Sequence, residues 1–320
     1  MTTSTWLCAG IVTVLLTGGI AKVFGHSRRT GASNSDTLTI CGSQIDVQFR
    51  PGPLDADRQE VIDWVRVSAE STATYFGKFP VPHTIVQIVP DAGERGILGG
   101  TTWGSPYVHT RVILGEHSSV ESFHQDWVLT HEFVHTAMPQ LDDNHHWLEE
   151  GLATYVEPIA RVQNGVLSEE SVWADMVRDM PKGEPRSGDR GLDRTHTWAR
   201  TYWGGAMFYL VADVRIRQQT NNRKGLQDAL QAVVASGQTI ADDGTPEAIF
   251  ALADKSVGVS VLLPLYRQVS EHAVPEDLNA LWTVLGVRSD GRGVVYNDQA
   301  PLASVRKAIF RPRPACGASQ

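Results

Sequence analysis

The sequence predicts an α+β domain in two lobes, a small strand-containing N-terminal lobe followed by a helical C-terminal lobe. Apart from two short segments near the C-terminus, the β-rich runs bounded by proline or glycine fall before residue 121. From residue 122 onward, apolar residues recur at helical spacing in one segment after another. The chain has 320 residues, 42% of them hydrophobic and 20% charged, enough to fill one large domain or two lobes packed around a cleft.

The elements follow in order. Residues 37–49 are β-rich and partly alternating, which predicts a strand or hairpin ended by Pro51 and Pro53. Over 55–79, Val61, Ile62, Trp64, Val65 and Ala69 recur at helical spacing and predict a helix. The run TIVQIV at 84–89, between Pro82 and Pro90, predicts a strand, as does 108–114. Between them, glycine-rich 93–104 predicts irregular chain. A single helix is expected over 122–138, stopped by Pro139, then helices over 147–162 and 168–180. Residues 181–195, rich in Gly, Asp and Arg, predict a polar loop. A long helical pattern covers 198–219, and shorter helices run to about 286. The segments 293–296 and 303–310 predict a return to strand.

Residues 1–25 stand apart. Trp6 to Ala21 is an apolar run broken by threonines and glycines, short for a spanning helix and a better length for a signal-peptide core. Its charges, Lys22, Arg28 and Arg29, follow the run instead of preceding it, so an uncleaved membrane anchor is the alternative. Cys8 reads as apolar filler in this segment. Residues 26–36 are polar and Gly/Ser-rich and read as a linker, which leaves 37–310 as the folded domain, with lobes at 37–121 and 122–290. Either reading of the N-terminus places the domain outside the cytoplasm, periplasmic or secreted. There a disulfide between Cys41 and Cys316 would persist; two free buried thiols are the other option. Nucleic acid is excluded as a main partner, because the net charge is −8 and no Lys/Arg cluster exists.

The central motif is His131-Glu132-Phe133-Val134-His135. Residues four apart lie on one face of a helix, so the two imidazoles can reach one ion, for which zinc is the usual occupant. Glu132, offset around the helix, is placed to act as general base. A catalytic zinc needs a third protein ligand. A short connection later comes Trp147-Leu148-Glu149-Glu150-Gly151-Leu152-Ala153-Thr154-Tyr155, which offers a carboxylate from a second helix.

This second segment resembles the second zinc motif of the gluzincin metallopeptidases, a tryptophan ahead of a ligand glutamate that is followed by glycine. Aligned on it, Glu150 is the ligand, with Glu149 as the substitute. Tyr202-Trp203-Gly204-Gly205-Ala206 resembles the Tyr-x-x-Gly-Ala helix of glycyl aminopeptidase-like and, more distantly, aminopeptidase N-like enzymes. The resemblance covers roughly residues 80–290. It implies a thermolysin-like two-lobed metallopeptidase domain, one Zn2+ per chain held by His131, His135 and Glu150, Glu132 as general base, and Tyr202 as donor to the oxyanion. A peptide or protein segment is the implied substrate. One departure bears on specificity. Aminopeptidase N-like enzymes bind the substrate's free amine through a Gly-x-x-Glu-type strand, and Gly96 to Gly104 carries no carboxylate here, Glu94 lying just upstream. Endo- and exopeptidase action therefore both stay open, as does a zinc-containing peptide-binding protein without turnover. His145 and His146 read as solvated loop residues.

Overall fold

The structure is a computed structural model and describes residues 35–313. The apolar N-terminal run, most of the 26–36 linker, Cys8 and Cys316 lie outside the described residues. Cys41 is disulfide-bonded.

The N-terminal lobe is a five-stranded sheet covered by one helix. Strands β1 (Ser35–Ile40) and β2 (Ser43–Phe49) form a hairpin. Helix α1 (Arg58–Phe76) then crosses over so that β3 (His83–Asp91) pairs parallel with β2. Strand β5 (His109–Gly115) pairs parallel with β3, and β4 (Ile97–Trp103) pairs antiparallel with β5. The order β1-β2-β3-β5-β4 leaves β4 on an edge. The glycine-rich 93–104 segment is therefore a strand over most of its length, contrary to the expectation of irregular chain. Its pairing with β5 supplies the order that its composition does not signal. Ile45, Val47, Val86, Ile88, Val112 and Leu114 on the sheet pack with Val61, Val65 and Ala69 of α1 in one core.

The remainder is helical: α2 (Val120–Gln125), α3 (Val128–His135), α4 (His146–Gln163) and α5 (Glu169–Asp179). A π-helical turn, Arg200–Gly204, runs into α6 (Gly205–Gln219). There follow α7 (Leu226–Ala235), α8 (Pro246–Val257), α9 (Leu262–Glu271) and α10 (Leu278–Leu285). A small hairpin of β6 (Val287–Ser289) and β7 (Val294–Tyr296) precedes α11 (Ala303–Ile309). The 181–195 loop contains short 3-10 turns near its two ends, at Met180–Gly183 and Leu192–Arg194. No helix among the described residues is long and apolar enough to cross a membrane.

Two further expectations are corrected here. The single helix over 122–138 is two. The Asp126 carboxylate accepts the backbone N–H groups of Val128 (2.9 Å) and Leu129 (3.1 Å), capping α3 where α2 ends, and takes a third bond from Trp64 Nε1 (3.0 Å). The 303–310 segment is helix instead of strand: Val305, Ala308 and Ile309 are buried at helical spacing, and Arg306 reaches the carbonyls of Leu285 and Gly286.

The two lobes have separate apolar cores that meet at α1 and α3. Along α1, Val61 to Ala73 belong to the sheet core, whereas Tyr75 and Phe76 belong to the helical core. In α3, Leu129 and Phe133 face the sheet and Val134 faces the helices. The helix that carries the two motif histidines is thus packed on both sides.

Candidate metal centre

Helix α3 presents His131 and His135 four residues apart, their ring centroids 5.0 Å apart. Helix α4 brings Glu150 against them. His131 Nε2 lies 3.0 Å from one Glu150 carboxylate oxygen and His135 Nε2 lies 3.8 Å from the other. One ligand atom from each of the three residues falls within 4.8 Å of the others. Two imidazole nitrogens and a carboxylate oxygen are the donor set of a catalytic zinc, which keeps a fourth position open. The residues present fit such an ion.

Close backbone approach explains the convergence. Gly151 of α4 and Gly205 of α6 touch backbone to backbone. A Cβ on either would run into the other helix. This crossing sets the π-helical turn beside α4. It lays the Tyr202 ring parallel to that of His131, at 6.2 Å between centroids. Trp198, half-exposed, stacks on Tyr202 from the outer side at 5.6 Å. Trp127 meets His131 edge-on at 5.3 Å.

The electrostatics separate the two carboxylates. Burial alone would raise the Glu150 carboxyl, but the charge of His135 and the hydrogen bond and charge of His131 outweigh it and hold it at about 2. Glu132 shifts the other way. Burial pushes its carboxyl above the ordinary glutamate range, against the pull of His135 and a hydrogen bond from Thr102. Two neighbouring carboxylates with opposite shifts have environments suited to a ligand and to a proton acceptor.

All five residues singled out in the sequence are therefore together: His131, His135 and Glu150 with ligand atoms within 4.8 Å of one another, Glu132 on the same helix as the two histidines, and Tyr202 alongside His131. Glu149 is turned elsewhere, accepting the Leu141 N–H at 3.3 Å. Of the two histidines read as solvated, His145 pairs with Asp193 at 3.2 Å. His146 is half-exposed but lies 3.3 Å from Glu149 and 3.4 Å from the Glu150 carboxylate. Its spacing, four residues ahead of Glu150 on one helix, was the signal. Glu94 sits in the turn before β4, its carbonyl accepting the His117 N–H.

No family model matches the chain, and no curated protein matches it. Solved structures do. An aminopeptidase N family protein from Idiomarina loihiensis aligns with a TM-score of 0.58 at 14% identity, over 79% of this chain and 49% of that one. An M1 zinc metallopeptidase from Deinococcus radiodurans, bound to a Tyr-Ser-Ala substrate, aligns with a TM-score of 0.48 at 16% identity, over 76% of this chain and 52% of that one. The chain spans about half the length of these structures. At such identity, the first likeness establishes a shared fold: a small sheet lobe followed by helices.

Proposed function

We propose that this chain is a gluzincin-type zinc peptidase with a thermolysin-like two-lobed domain, one zinc being held by His131, His135 and Glu150. The observation that carries this is the convergence of those three side chains, His131 and Glu150 buried and His135 partly so, with Glu132 next to the first of them. The Tyr202-to-Ala206 pattern supports a kinship with the glycyl aminopeptidase-like branch. When bound, zinc supplies Lewis acidity that polarises the scissile carbonyl and lowers the pKa of water. The Glu132 carboxylate accepts a proton from the attacking water and later returns it to the leaving nitrogen. Tyr202 donates its phenolic hydrogen to the oxyanion that develops. The strand β4, at the sheet edge among the described residues and bonded to Glu132 through Thr102, would offer its outer edge to an extended peptide. Cys41 in a disulfide, with the apolar N-terminal run, supports an extracytoplasmic setting, with the run as signal or membrane tether.

The test is zinc content and cleavage of a mixed peptide library by wild type and Glu132→Gln. Expected are equal zinc in both and cleavage at least about a hundredfold slower in the variant. Running the library with free and with acetylated amino termini separates exo- from endopeptidase action. Stoichiometric zinc in both proteins with cleavage in neither favours a peptide-binding protein of the same fold. A folded wild type that takes up no zinc removes the proposal.

A further inference from the structure

The general base does not stand alone on its helix. Thr102 Oγ1 on the edge strand β4 lies 2.8 Å from Glu132 Oε2 and 3.0 Å from the Glu132 carbonyl oxygen. Behind it, Thr110 Oγ1 of β5 lies 3.0 Å from Thr102 Oγ1. Thr110 is fully buried, directly across the ladder from Thr102. A hydroxyl has one proton to give and two lone pairs to receive with. A carbonyl and an ionised carboxylate can only accept, so the proton of Thr102 goes to Glu132, where the charged Oε2 is the nearer and stronger of the two acceptors, and Thr110 donates into Thr102. Two residues earlier, Gly100 clears the space: a Cβ there would lie 2.5 Å from Glu132 Cγ and 3.0 Å from Oε1. No real Cβ is tolerated at 2.5 Å from a buried carbon, so one of the two would have to move.

We propose that Thr102, backed by Thr110 and given room by Gly100, is a positioning residue that locks the Glu132 side chain in a single rotamer, engaging Oε2 and leaving Oε1 to the reacting water. The sheet lobe thus contributes to catalysis through β4 although the metal ligands all come from helices. Donation by a neutral hydroxyl holds the carboxylate without neutralising it, and a base held in place loses less on reaching the transition state than one that must first be ordered. This rests on Glu132 being the general base, as proposed above.

The test compares Thr102→Val, Thr102→Ser and Gly100→Ala with wild type, each in the zinc-loaded full chain, by peptide kinetics, zinc content and crystal structure. Valine keeps the shape of threonine and removes the hydroxyl; serine restores it. Expected for Thr102→Val are zinc content equal to wild type, KM within about twofold, and kcat lowered roughly ten- to a hundredfold, the range for loss of a hydrogen bond that orients a functional group at a metal site. Thr102→Ser should recover most of that loss, and Gly100→Ala should displace Glu132 with the hydroxyl still present. Wild-type kcat in the valine variant overturns the proposal. So does an equal loss in the serine variant, or a loss that follows KM or zinc content. Should wild type cleave no peptide, the functional reading fails separately. The positioning is then decided by the crystals: a Glu132 carboxylate unmoved in Thr102→Val overturns it, and one that swings away from β4 upholds it.

Discussion

Tyr202 shows what a single side chain can add to an assembled centre. Its ring lies nearly parallel to that of His131, and removing only the hydroxyl leaves that arrangement of rings intact. On the proposed role of Tyr202 as oxyanion donor, Tyr202→Phe is expected to lower kcat by about a hundred- to a thousandfold with zinc content unchanged; steady-state kinetics beside metal analysis reads both. Away from the centre, Asp228 accepts the Gly225 N–H at 2.8 Å at the start of α7 and takes a two-pronged bond from Arg313 at 2.9 and 3.1 Å. Burial opposes ionisation there, but Arg313 and the Gly225 N–H outweigh it and hold the carboxyl below the usual aspartate range. A carboxyl depressed by folding stabilises the fold above its unfolded-state pKa, and that contribution is lost as pH falls through the depressed value. Asp228→Asn should therefore cost about 1–2 kcal/mol at neutral pH and progressively less in acid, read from denaturant unfolding across pH. At this scale, much of the centre was legible in the sequence. His131, Glu132 and His135 share one helix, where spacing alone dictates geometry. Thr102 was not legible, because its meeting with Glu132 depends on which strand ends up on the sheet edge beside α3.

Elements were read best where one face alone decides the pattern. Helix α1 and strands β3 and β5 follow their apolar spacing closely, since each buries a side against the sheet core. The 122–138 segment misled because α2 and α3 both turn apolar residues, Phe123 and then Leu129 and Phe133, toward that same core. The periodicity runs on through the break, and only the Asp126 cap marks it. In 93–104 the glycines concealed a strand; Gly100 is there for the close approach of Glu132, not for a turn. The segment at 303–310 carries Val305 and Ile309, which suit either state locally, and burial of Arg306 under α10 decides for helix. The contact of α4 with α6 was visible only as two glycines in two motifs. Its tightness makes a firm prediction. Alanine is a better helix former than glycine by about 1 kcal/mol in an exposed helix. At Gly151, however, the added methyl strikes the Gly205 backbone. Gly151→Ala should destabilise the protein by about 1–3 kcal/mol, the range for overpacking, and should weaken zinc binding by parting Glu150 from the histidines; thermal unfolding and metal titration measure the two effects.

Taken whole, the molecule has two apolar cores, and the group that could hold a metal is built on the helix that both cores grip. Phe79, buried in the sheet core, meets Phe133 edge-on at 5.2 Å. Phe133 lies between the two imidazole-bearing residues of α3. Whatever loosens the sheet core beneath α3 therefore changes how well His131 and His135 are aimed. Metal affinity becomes a gauge of packing in a lobe that supplies no ligand. Phe79→Leu, a modest loss of roughly 1 kcal/mol in packing, should weaken zinc binding severalfold in a competition titration. Ile249→Val, an equally buried trim of α8 in the other core, should leave it alone. Equal zinc affinity in both variants would mean that α3 holds its shape without the sheet. A difference would mean that the strands, far from being a passive platform, set the tension under which the ligands are held.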